Sequence, residues 1–196
     1  MLKWFHLKLF MNDLKRVFLG IDLTADLKEK IEKLKRDYNL KQLPIKLVEA
    51  ENSHIAVKFL EDLSENQIKE IAVLVKSITE NFTFFKIKID NELIFPSPSR
   101  ARVLALKIIS PELKKIAEEI IKTIDQLPFV NKEKRNYTPH ITLGRIRNRL
   151  TENEIKKITN LQFNDETVVT SVELFESKLT GQGPVYTILE SFKLAG

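Results

Sequence analysis

The sequence predicts an α+β protein of two similar lobes related by a pseudo-twofold axis, with antiparallel sheets, helices outside them and a central cleft. Three observations carry this: the chain repeats itself at a fixed offset, each repeat has the same order of strand-like and helix-like segments, and 196 residues at 43% hydrophobic content suffice for a packed core. Arg16-Val17 with Arg102-Val103, Leu27, Lys28 and Glu32 with Leu113, Lys114 and Glu118, and His54-Ile55 with His140-Ile141 all stand 86 positions apart. Shifted by one more residue, the segment from Leu63 to Ile71 matches that from Leu150 to Ile158, and a Leu-Pro pair precedes each His segment, at Leu43-Pro44 and Leu127-Pro128. The reading is one bilobal domain over residues 1–196, with duplicated halves of about 15–100 and 101–195 and residues 1–10 as a candidate N-terminal extension upstream of Met11.

Each half begins with a short apolar, β-branched run, Arg16 to Leu23 and Arg102 to Ile109, of the kind that forms buried strands. Thr24 and Ser110 then stand at N-cap positions, with Asp26 and Glu112 in the first turn, where a carboxylate favours the helix dipole. Apolar residues at Leu27, Ile31 and Leu34, and at Leu113, Ile116, Ile120 and Ile121, keep helical spacing until Pro44 and Pro128 forbid continuation. The His-bearing segments, His54 to Leu60 and His140 to Ile146, read as strands. A second helix opens in each half with a capping box, Ser64 with Gln67 and Thr151 with Glu154, in which the two side chains satisfy orphan backbone donors reciprocally. Alternating segments around Phe84 to Leu93, Val168 to Phe175 and Val185 to Leu194 complete the sheets.

Composition removes several chemistries. With no Cys there is no disulfide, thiolate zinc site, iron–sulfur cluster or cysteine nucleophile. The five Gly residues build no GxGxxG, Walker loop or GxSxG elbow, so nucleotide chemistry through a Gly-rich loop is not expected. No apolar run approaches the roughly 20 residues of a membrane span, and Met1 to Phe10 is too short and interrupted for a signal peptide; the expected compartment is the cytoplasm, with no membrane partner. The net charge of +5 suits a phosphate-bearing partner and a Lys-rich solvated surface equally.

Of three His residues, His54 and His140 occupy equivalent places in the two halves, where a pseudo-twofold brings them face to face across a cleft. Residues i and i+2 of a strand share a face, so His140 lies beside Thr142 and His54 beside Ala56. Paired imidazoles suit acid–base chemistry at phosphorus. One neutral ring takes a proton from water while the other, protonated, delivers one to the leaving oxygen, each near the ordinary pKa of about 6.5. The bland alternative is a pair of structural histidines. A zinc site normally needs three or four ligands, and neither a nearby third His nor a Cys supplies them.

His54-Ile-Ala-Val57 and His140-Ile-Thr-Leu143 resemble the paired H-x-T/S-x motifs of the 2H phosphoesterase superfamily, and the chain most resembles its RNA 2′,3′-cyclic phosphodiesterase branch, also called the 2′-5′ RNA ligase family. Arg16-Val-Phe-Leu-Gly-Ile-Asp22 resembles the opening strand, Phe95-Pro96 with Arg102-Val-Leu104 the middle, Tyr137-Thr-Pro-His140 the approach to the second motif, and Glu176-Ser177, Leu179, Gly183 and Tyr186 the closing hairpin. The resemblance implies hydrolysis of an RNA 2′,3′-cyclic phosphate end to a 2′-phosphate by a monomer, with no metal or other cofactor and no ATP. It implies His54 as proton donor to the departing 3′ oxygen, His140 as the acceptor that activates water, and Thr142 and Arg145 as phosphate-binding residues. Strand parity puts Arg145 on the face opposite His140, so its role requires a bulge or strand end, which Gly144 permits; a merely solvated Arg beside Arg147 and Arg149 is the other reading.

The sequence departs from the pattern at Ala56, where a hydroxyl belongs. Two variants of the reading follow: the same site run in reverse as a 2′-5′ ligase, and a non-catalytic RNA-binding module with a degenerate site, supported by Ala56 and by the basic run Lys132, Lys134, Arg135, Arg145, Arg147 and Arg149. Phe59, Phe95 and Tyr137 are candidates to stack on a terminal base or to pack in the core.

Overall fold

The computed structural model describes residues 14–97, 100–181 and 183–196; the candidate extension, residues 1–10, lies outside the described residues. Nine strands form in chain order: β1 Lys15–Asp22, β2 Ile45–Leu47, β3 His54–Leu63, β4 Phe85–Phe95, β5 Val103–Ile109, β6 His140–Ile146, β7 Asp165–Val169, β8 Ser171–Thr180 and β9 Gly183–Lys193. Four α-helices accompany them among the described residues: α1 Ala25–Asp37, α2 Glu65–Thr79, α3 Pro111–Ile124 and α4 Glu152–Thr159. The local signals act as their chemistry requires. Thr24 accepts from the Leu27 amide and Ser110 from that of Leu113, while Ser64 with Gln67 and Thr151 with Glu154 each complete a two-way capping box.

The strands follow the order β7-β4-β5-β6-β3-β1-β8-β9, with β2 pairing on β6. Every named pair of strands is antiparallel. The two halves of the sequence do not build separate sheets. The last strand of the first half, β4, pairs with β5 and β7 of the second, and the β8–β9 hairpin of the second half pairs with β1 of the first. Among the described residues a single pair, Ile55 with Ile141, joins β3 to β6 at the centre. Beyond β9 the chain returns to the other side of the strand order: Ala195 forms a parallel bridge with Thr83, just before β4, its amide donating to the Phe82 carbonyl at 2.8 Å.

One expected strand is two. The alternating run Val168 to Phe175 splits at Thr170 into β7, which pairs with β4 at one end of the order, and β8, which pairs with β1 near the other. A continuous β pattern in sequence cannot reveal that its two parts take different partners. The strand of the first His also continues past Leu60 to Leu63, where it pairs with Lys15, accommodating register shifts and a left-handed Glu61 (φ 63°) on the way.

The helices bury the faces their spacing defines, with Leu27, Ile31 and Leu34 of α1, Ile68, Ile71, Val75 and Ile78 of α2, and Leu113, Ile116, Ile120 and Ile124 of α3 all in the core. Ile55 and Ile141 are fully buried beneath the seam. Truncating either to Ala is expected to destabilise the protein by about 2–5 kcal/mol, through lost burial plus a residual cavity, whereas Phe59→Ala, at a residue 62% exposed, stays within about 0.5 kcal/mol. Urea unfolding of the three variants checks this.

Candidate active site

His54 and His140 are the first residues of β3 and β6, and the Ile55–Ile141 pair sets these strands side by side. Facing residues in an antiparallel register share a side, so Ile55 and Ile141 turn to the core while the residues flanking them turn to the other face. That register puts Ala56 across from His140 and Thr142 across from His54. Both His residues, Ala56 and Thr142 are half-buried.

The two imidazoles are held identically. His54 Nδ1 lies 2.7 Å from the Asn52 carbonyl, and His140 Nδ1 lies 2.7 Å from the Thr138 carbonyl, two residues upstream in each case. A carbonyl only accepts, so each Nδ1 carries its proton and each Nε2 is left to exchange one. Neither Nε2 has a hydrogen-bond partner among the described residues.

Beyond the histidines the strands bulge at equivalent places. Against β1, Leu19 pairs with Lys58 and Gly20 with Ala56, skipping Val57; against β5, Leu104 pairs with Gly144 and Ala105 with Thr142, skipping Leu143. Two consecutive residues are buried at each bulge, Val57-Lys58 and Leu143-Gly144, and the face then inverts. Arg145, five residues past His140, is thereby returned to the side of His140 and Thr142, exposed and without an ion-pair partner among the described residues. Phe59, five past His54, is its counterpart. Gly144, at this bulge, also meets a second need. It lies under β2, where an added Cβ would come 2.5 Å from the Ile45 Cγ2 atom and 2.8 Å from the Lys46 carbonyl.

The surroundings of the two rings differ sharply. His54 lies 4.8 Å from Phe18, 5.2 Å from Tyr186 at right angles and 6.0 Å from Phe175, and Phe18 stacks on Phe175 at 4.8 Å. His140 has one aromatic neighbour among the described residues, Phe95 at 5.0 Å. Burial in this cage pushes the His54 pKa below its ordinary value, the bond to the Asn52 carbonyl and the Asp22 carboxylate resist, and His140 and Lys28 add to the lowering. Asp22 faces His54 in the β1–β3 register, bonds Lys28 Nζ at 2.7 Å, and is steadied by its amide donating to Glu173 at 3.0 Å. Burial also pushes the Tyr186 hydroxyl up, against the pull of Arg145 and Arg16.

Of the other aromatic candidates, Phe95 stands beside His140 and the exposed Phe59 lies 5.5 Å from Phe18. Tyr137 is committed elsewhere: its hydroxyl donates to the Ala56 carbonyl at 3.2 Å, tying the approach to His140 onto the strand of His54. The basic residues Lys132, Lys134, Arg135, Arg147 and Arg149 are all exposed. Sequence reasoning gave no role to Phe18, Phe175 or Asn52, because a β-branched and aromatic strand pattern does not say which rings meet, and a backbone carbonyl has no residue signature.

Two equivalent strands thus present two imidazoles through their Nε2 atoms on one face, and β6 alone adds a hydroxyl, Thr142, and an exposed Arg145, an arrangement suited to phosphoester chemistry. The LigT like Phosphoesterase family model matches residues 21–105 and 107–186, and the chain belongs to that family. It is 34% identical over 181 residues to an RNA 2′,3′-cyclic phosphodiesterase of Methanocaldococcus jannaschii, covering 90% of this chain and 99% of that one, and 31% identical to one of Aquifex aeolicus, covering 92% and 98%. Among solved structures it is similar to E. coli LigT complexed with 3′-AMP, with a TM-score of 0.80 at 24% identity, covering 94% of this chain and all of that one.

Two outcomes are expected. In an NMR titration the His54 ring signals move with a pKa below 6.5, and Asp22→Asn lowers it further, since a negative charge favouring the imidazolium is removed. Gly144→Ala destabilises the protein by about 1–3 kcal/mol in urea unfolding, because the new methyl meets β2.

Proposed function

We propose that this protein hydrolyses RNA 2′,3′-cyclic phosphate ends to 2′-phosphomonoesters by metal-free acid–base catalysis with two histidines. The observation that carries this is the identical tethering of both Nδ1 atoms, which leaves two Nε2 atoms on one face to exchange protons. The similarity to RNA 2′,3′-cyclic phosphodiesterases of two organisms supports the substrate.

In the reaction, water attacks phosphorus as His140 Nε2 takes its proton. The bond from phosphorus to the 3′ oxygen breaks as His54 Nε2 gives that oxygen a proton. Thr142 and Arg145 hold the non-bridging oxygens, Arg145 supplying the positive charge that the developing anion needs. No ATP or other cofactor enters this scheme. That all these groups come from one chain supports a monomer, and RNA ends as substrate support a cytoplasmic setting. No helix among the described residues is long and apolar enough to cross a membrane. The transition state also serves the reverse reaction, in which a 5′-hydroxyl end replaces water and a 2′-5′ linkage forms.

The lowered His54 pKa fits an acid that surrenders its proton readily, at the expense of how many free molecules carry it at neutral pH. An incoming phosphate anion offsets this by favouring the imidazolium. Activity requires a protonated His54 and a neutral His140 at once, so its pH profile is expected to be a bell. A flat profile between pH 5 and 8 contradicts the mechanism.

The direct test incubates the protein in EDTA, without ATP, with a short RNA ending in a 2′,3′-cyclic phosphate, and follows the product by phosphorus NMR. His54→Ala and His140→Ala each lose about 10²–10⁴-fold in rate. Ala56→Thr restores a hydroxyl across from His140. A hydrogen bond to a charged group is worth about 1.5–3 kcal/mol, so turnover rises by one to two decades if the missing donor limits the rate. Salt-sensitive RNA binding with no hydrolysis in any variant would support the degenerate binding module that Ala56 favours instead.

A further inference from the structure

The pseudo-twofold breaks at the residue two positions before each histidine. Asn52 and Thr138 are equivalent, and each lends its carbonyl to the following His Nδ1. The Thr138 hydroxyl makes no hydrogen bond among the described residues, whereas the Asn52 side chain reaches across the site: its Nδ2 donates to the Pro184 carbonyl at 2.8 Å. Pro184 is the second residue of β9, the return strand of the closing hairpin. In a flat sheet the hairpin tip would lie far from Asn52, since β8 runs past the start of β1, pairing Glu176 with Val17, while Asn52 precedes the opposite end, where His54 pairs with Asp22. A register shift where Leu174 faces Glu190 and Phe175 faces Ile188 marks a bulge at Leu189, and the hairpin folds back over the site face. Tyr186, two residues past Pro184, thereby meets His54 at 5.2 Å and Phe18 at 5.0 Å.

We propose that Asn52 is a positioning residue: its carbonyl orients the His54 ring while its amide clasps the β8–β9 hairpin, holding Tyr186 against that imidazole and roofing the His54 side of the cleft. One side chain and one carbonyl of the same residue thus fix both the proton donor and its cover. Thr138 makes only the first of these contacts, so His140 keeps an open side. The catalytic consequence rests on the phosphodiesterase reading; the structural claim does not.

The test follows the His54 and His140 ring signals by NMR titration in wild type, Asn52→Ala and Tyr186→Ala, alongside thermal melting and turnover of a cyclic-phosphate RNA. The charged groups facing His54 are Asp22 on β1, Lys28 on α1 and His140 on β6, and all remain in these variants. If the clasp holds the roof, Asn52→Ala and Tyr186→Ala both raise the His54 pKa toward 6.5 as water reaches the ring. The double variant raises it no further than Tyr186→Ala alone, and the melting temperature moves by only a few degrees. In active protein kcat/KM falls about 10- to 100-fold, as for a misplaced catalytic group. An unmoved His54 titration in Asn52→Ala overturns the proposal, whether or not Tyr186→Ala moves it. Asn52→Leu, which keeps the volume and lacks the donor, gives the same reading should the alanine disturb the preceding turn. Protein that hydrolyses nothing yet shows these shifts refutes the phosphodiesterase reading and leaves the clasp standing.

Discussion

The one interstrand pair at the centre of the sheet, Ile55 with Ile141, is the constraint on which the site depends. Both residues are fully buried, so the two strands cannot slide without moving large apolar side chains into water. A slip of either strand by one residue would turn its histidine from the shared face into the core. The register that buries the isoleucines is therefore the same register that presents the imidazoles together. Tyr137, through its bond to the Ala56 carbonyl, reinforces this join from the opposite lobe.

On that symmetric foundation the protein builds two unequal environments. Equivalent strands, bulges and carbonyl tethers make the histidines alike in orientation, while the aromatic packing of Phe18, Phe175 and Tyr186 makes them unlike in solvation. Duplication supplies two imidazoles in equivalent places. Only a departure from the duplication can give those copies different jobs, and the closing hairpin, which covers one and not the other, is that departure.

Much of this was legible in the sequence, for local reasons. The capping boxes at Ser64 and Thr151 involve residues three apart, and the shared face of His140 and Thr142 follows from strand geometry alone. The need for a bulge before Arg145 came from parity, and the bulge falls at Leu143. What stayed hidden depends on partners distant in sequence. Val168 to Phe175 reads as one strand until its two parts pair with β4 and β1, and Phe18 meets Phe175 only because β1 lies beside β8. Asn52 carried no signal, since one of its two contacts is made by its backbone carbonyl.

The exchange of strands between the halves also orders events in time. Strand β1 precedes its neighbour β8 by most of the chain; the bond from the Asp22 amide to Glu173 spans 151 residues. As the chain leaves the ribosome, the opening strand can pair early with β3, but its other edge stays bare until the closing hairpin has been made. The first lobe is thus begun first and finished last, and the cage around His54 is assembled only when synthesis of these residues is complete. An interrupted chain would hold one histidine on its strand without the surroundings that distinguish it from the other.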